Sequence, residues 1–181
     1  MKKEQKRGIG NKMFAVGVCL VVLITAMIAF NQTGQDEALN VNLEGKYDRI
    51  PKGPVHLHPQ LMIEINGEQV PIPASIGISI GRVADTQISG MRMSPIHTHD
   101  SSGTLHLEME NPSLKPEVFS LGYFFYIWEK RFDKDCLFEY CTNQGNLKMF
   151  VDGKENDEFQ NYVFQGNETI LINYTSTEVK T

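Results

Sequence analysis

The chain has 181 residues, 41% of them hydrophobic and 22% charged, with a formal net charge of −5 at pH 7. Residues 1–12 hold five basic side chains (Lys2, Lys3, Lys6, Arg7, Lys12) against one acid, Glu4, so the rest of the chain stands near −9. A surface that acidic argues against nucleic acid as a partner and attracts cations.

The basic flank precedes residues 13–30, an uncharged run of eighteen. A membrane-spanning helix needs roughly 17 to 25 apolar residues, whereas a cleaved signal peptide has a shorter apolar run followed by a small-residue cleavage site, which is not evident here. The run therefore reads as a signal anchor, a transmembrane helix with 1–12 inside the cytoplasm and everything after Phe30 outside it. A cleaved signal peptide and a pilin-type leader cut near Gly8 or Gly10 are the alternatives. Residues 31–50 are polar and aperiodic and read as a tether. That leaves 51–181 as one extracytoplasmic domain, long enough for a core of its own.

Within it, Leu61, Ile63 and Ile65 alternate with Met62, Glu64 and Asn66, and Asn66-Gly67 is the strongest short hairpin signal a sequence offers. Pro71 and Pro73 cannot donate to a ladder and push the returning strand to a sheet edge. Ile76, Ile78 and Ile80 suggest a short strand or a loop crossing. Asn111-Pro112 and Lys115-Pro116 break the chain. Leu121, Phe124, Phe125 and Trp128 then fall at i, i+3, i+4 and i+7, which predicts an amphipathic helix over 117–132 with Ser120 or Pro116 near its start. Two more hairpins are predicted, one turning at Asp152-Gly153 and one joining 161–164 to 169–174. The fold class is α+β: a mainly antiparallel sheet packed on one amphipathic helix. A helix followed by hairpins and a last strand near the terminus suggests β-grasp-like topology; a small β-sandwich with an inserted helix is the alternative.

The five histidines fall in two clusters and nowhere else: His56 and His58, then His97, His99 and His106. Alternate residues of a strand share a face, so each His-x-His pair points one way. Asp100-Ser-Ser-Gly103 is turn chemistry and predicts a hairpin. If Asp100 pairs with Gly103, His97 faces His106 and His99 faces Thr104, at Cβ separations of roughly 4.5 to 5.5 Å. A register one residue off places His106 opposite Thr98 and the convergence is lost. By strand parity His56 and His58 fall away from the Leu61/Ile63/Ile65 face, unless Pro59 resets the phase.

Converging imidazoles are the usual ligands of zinc and copper. His97, His99, His106, His56 and His58 are the candidate metal ligands, and a copper or zinc ion the candidate cofactor. Met91 and Met93 beside them are candidate soft ligands that favour copper, although methionine also fills cores. Asp100 reads as a turn cap or as an acceptor bonded to a liganding ring. If the protein is an enzyme, three histidines leaving an open position suit a zinc-dependent hydrolase or hydratase, with Glu108 as general base. The other readings are metal handling with an envelope protein partner, and an accessory subunit of a membrane complex whose histidines are structural or pH-responsive. Cys136 and Cys141, five apart in an oxidising compartment, suggest a local disulfide first and soft ligands second.

The succession His-x-His, Val-Pro-Ile-Pro-Ala-Ser-Ile-Gly-Ile (70–78), Pro-Ile-His-Thr-His-Asp-Ser-Ser-Gly-Thr-Leu-His-Leu-Glu (95–108), Leu-Gly-Tyr-Phe-Phe-Tyr-Ile-Trp (121–128) and a closing Val-Asp-Gly-Lys (151–154) resembles a family of uncharacterised bacterial and archaeal proteins. The resemblance implies a membrane anchor followed by one extracytoplasmic domain, and no particular activity.

Overall fold

Alternation, turn chemistry and capping are enough to set most of the local elements. The structure is a computed structural model that describes residues 39–82 and 92–177. The apolar run at 13–30 and Met91 lie outside the described residues. Among the described residues, no helix is long and apolar enough to cross a membrane.

The main sheet forms around the hairpin of β2 (Gln60–Ile65) and β3 (Glu68–Val70). Ile65 pairs with Glu68, leaving a two-residue turn in which Asn66 and Gly67 have φ of 54° and 80°, the left-handed geometry that Asn-Gly accepts. The strand ends before Pro71 and lies at the sheet edge, where missing donors are harmless. The second hairpin, β8 (Gly145–Val151) and β9 (Lys154–Glu155), turns at Asp152-Gly153 as predicted. The last strand, β10 (Thr169–Ser176), enters between the two hairpins, giving the order β3-β2-β10-β8-β9. It is parallel to β2 and antiparallel to β8. A parallel pair needs a long crossover, and everything from β3 to β9 supplies it. The fold is α+β, a mixed sheet with one helix between its two hairpins in sequence.

One face of this sheet is dry. Leu61 and Ile63 of β2, Ile170, Ile172 and Tyr174 of β10, and Leu147 and Met149 of β8 are buried in one cluster, and the register sets Ile172 between Ile63 and Met149.

The helix departs from its expected form. Residues 117–132 are not one helix: a 3-10 turn over Pro116–Phe119 is followed by α1 (Leu121–Trp128). Ser120 ends the first and caps the second, its hydroxyl accepting from Tyr123 N–H at 3.1 Å, which satisfies an amide the helix itself cannot. Glu129, in left-handed backbone with φ of 58°, stops it. The helix is also not amphipathic in effect, because seven of its eight residues are buried. It is enclosed by the core cluster, the turns before and after it, and β4 (Ile96–His97), and only Tyr126 reaches water in part.

The third hairpin is corrected. Residues 161–164 do not pair with β10; Val163 bridges to Ser120, and Phe164 N–H donates to Phe119 O at 2.8 Å. Their alternation marks a segment packed along the start of α1, because β2 and β8 already occupy both edges of β10. Part of the stretch read as a tether, 31–50, packs on the core. Leu43 and Ile50 are buried, Leu39 and Val41 pack on the core, and Arg49 pairs with Glu158 at 2.8 Å. Cys136 and Cys141 form a disulfide across the short hairpin of β6 (Cys136–Leu137) and β7 (Tyr140–Cys141), so they are not metal ligands.

Candidate metal centre

The histidines sit on a separate three-stranded sheet, ordered β1 (Val55–Leu57), β5 (His106–Met109), β4. The chain changes sheet at Pro59, between β1 and β2. Proline has no N–H to continue a ladder and restricts the residue before it. Leu105 N–H donates to Pro59 O and Leu61 N–H to Gly103 O, both at 2.9 Å, which ties the two sheets together at this point.

The hairpin of β4 and β5 has the register that brings the rings together: His97 pairs with His106, and Ile96 with Leu107. Asp100 caps the turn, its carboxylate accepting from Ser102 N–H at 2.8 Å, and the Ser102 hydrogen bonds hold its carboxyl below the usual range. One detail differs. Thr104 does not face His99 in a ladder but bridges to Gln60, because the β2 edge captures the chain as it leaves the turn.

His97 and His99 flank Thr98, which is wholly buried and held on every polar atom. Its hydroxyl donates to Pro73 O at 2.8 Å and accepts from Ile76 N–H at 3.0 Å, while its own N–H and C=O bond to Ile76 O and Ser75 N–H. The backbone carrying the two ligands is thereby fixed to the 73–76 segment. The His97 ring is buried to 0% exposure, and its Nδ1–H donates to Ser94 O at 3.0 Å. A carbonyl only accepts, so Nδ1 carries the proton and Nε2 keeps its lone pair. Such a bond to the remote ring nitrogen is what orients metal-binding histidines in general. That Nε2 lies 3.2 Å from Nε2 of His99. Two nitrogens bound tetrahedrally to one zinc at 2.0–2.1 Å stand about 3.3 Å apart, so the observed spacing fits two ligands of one ion.

His97, His99 and His106 offer ligand atoms all within 4.8 Å of one another, and so do His56, His58, His106 and Glu108. The second set comes from the pairing of β1 with β5, in which His56 is opposite Glu108, and not from any strand parity with β2. His56 Nε2 stands 3.0 Å from the Glu108 carboxylate, and His106 Nδ1 3.9 Å from it. Glu108 thus groups with His56 and His58, and it also stands beside His106, which the two sets share. Among the remaining candidates, Met93 is half-buried on the approach to β4. Ser94 and Thr98, the residues that orient the ligands, were not foreseen; a backbone carbonyl acceptor leaves no mark in sequence, although a threonine between two histidines is a weak one.

Burial holds His97 below its ordinary pKa, with His99 acting in the same direction and the Ser94 bond opposing it. Burial also lowers His106, reinforced by His99, His58 and His97 and opposed by Glu108. The sign of the consequence follows from linkage. An unfolded histidine takes up its proton near pH 6.5, and these two resist until lower pH, so below about 6.5 the unfolded chain binds more protons. The metal-free protein is therefore expected to keep this contribution to stability above about pH 6.5 and to lose it as pH falls further. Urea unfolding at stepped pH checks this; stability that is flat or rises on acidification from 6.5 contradicts it.

No protein-family model, curated protein or solved structure matches this chain.

Proposed function

We propose that the protein is a membrane-tethered, extracytoplasmic metal-binding protein, holding copper or zinc at His97, His99 and His106 and passing it to a partner in the envelope. The observation that carries the reading is the pair of Nε2 atoms 3.2 Å apart, one of them on a ring whose other nitrogen is committed to Ser94. A buried imidazole already in the liganding tautomer needs little reorganisation to bind. Three neutral nitrogens suit zinc and either copper state, and Met93, four residues before His97 in the sequence, is the candidate soft ligand for Cu(I). The basic flank and apolar run at the N-terminus support the tether and its orientation. The disulfide between Cys136 and Cys141 suits an oxidising compartment.

The test is elemental analysis of the full-length chain, purified in detergent without a polyhistidine tag after growth with added copper or zinc. At least one ion per chain that survives dialysis is expected, and its identity selects between the metals. Near-zero metal after both supplements sinks the reading.

A further inference from the structure

The inner group of three imidazoles leaves His56, His58 and Glu108 unexplained, yet their placement is built. His56 and Glu108 are ladder partners with their polar atoms 3.0 Å apart, and the His58 ring lies 4.7 Å from the His106 ring. A single ion with bonds of 2.0–2.2 Å keeps all its donors within about 4.4 Å of one another. The six donors instead form two sets, which meet only at His106. One imidazole has two ring nitrogens and can serve both sets, and Nδ1 of His106 is 3.9 Å from the Glu108 carboxylate of the outer set.

We propose that the cluster holds two metal ions per chain, bridged by His106: an inner ion on His97 and His99, and an outer ion on His56, His58 and Glu108. This rests on the reading of the inner group as a metal site. Binding of the second ion replaces the remaining N–H of His106 with an N–metal bond and releases that proton to solvent; no electron is transferred. The bridging imidazolate and the Glu108 carboxylate supply the two negative charges that moderate repulsion between the ions. The positions differ in access. The His97 ring is wholly buried, whereas the His56 side chain is 63% exposed, so the outer ion is the one that exchanges with solution.

The experiment loads the full-length, untagged chain with Cu(II) and measures copper per chain together with the integrated electron spin resonance signal. Two ions are expected, with a signal well below two spins because the bridge couples them. His56→Ala with His58→Ala halves the copper to one ion and restores a full one-spin signal; these side chains are exposed or half-buried, so the fold survives the change. His97→Ala with His99→Ala also leaves one ion, now on the outer set. One ion in the wild type, unchanged by the His56/His58 replacement, overturns the second site and leaves the first standing. Two ions with a full two-spin signal overturn the bridge. No copper in any variant overturns the inner site as well.

Discussion

Replacing His97 and His99 together with alanine is expected to weaken binding of the tightest metal ion by at least about 100-fold, or roughly 2.7 kcal/mol. Losing only the hydrogen-bond partner of a metal ligand costs about 10- to 100-fold, and this change removes two of the three inner ligands themselves. The part of the effect that is structural can be separated. His97 is buried, and its loss leaves Ser94 O without the imidazole donor, at about 1–3 kcal/mol of folding stability. His99 is exposed, and its loss costs the metal-free fold only the 3.2 Å contact between its Nε2 and that of His97. His99→Ala alone should therefore lower affinity while shifting urea unfolding of the metal-free protein less than His97→Ala does. Competition titration against a chromophoric chelator measures both variants, and affinities equal to wild type would remove the inner site from consideration.

Phe125→Ala is expected to cost about 3–5 kcal/mol of stability, the range for deleting a fully buried phenylalanine. The ring is 1% exposed. It stacks on Phe132 at a centroid distance of 4.5 Å and touches Phe124, Trp128 and Phe138 at 5.7, 5.8 and 6.2 Å. Aromatic pairs of this kind contribute beyond the area they bury, and a helix with seven of its eight residues buried has little room to collapse into the void. The measurement is the urea midpoint and slope. A loss under about 1 kcal/mol at unchanged slope would mean that α1 is not the centre of the core. Because α1 packs against β4, a folded Phe125→Ala protein should still bind metal, with lower affinity only where β4 loosens.

What could be read early was whatever depends on near neighbours in the chain. Asn66-Gly67 and Asp152-Gly153 specify their hairpins because a two-residue turn with positive φ admits few other residues. The His97–His106 pairing follows from one choice of register around Asp100-Gly103, and the structure makes that choice by fixing Thr98 to the 73–76 segment and Gly103 to β2. The expected helix, 117–132, overruns at both ends: Ser120 caps a new helix with its hydroxyl accepting from Tyr123 N–H, and Glu129 in left-handed backbone stops it. The third hairpin failed for a different reason: alternation at 161–164 shows a half-buried extended segment without showing what it lies against.

Local pattern, then, sufficed for the turns, the shared face of each His-x-His pair and the acidic character of the chain after residue 12, since these depend on a few bonded neighbours and on composition. The insertion of β10 between two hairpins, the change of sheet at Pro59 and the meeting of His56 and His58 with Glu108 belong to pairings of strands far apart in sequence. Such pairings are chosen by the burial of Ile63, Ile172 and Met149 in one core, a property of the whole assembled surface that no short stretch contains. The metal centre straddles the two: its ligands are visible as residues, and their distances exist only once the distant strands have paired.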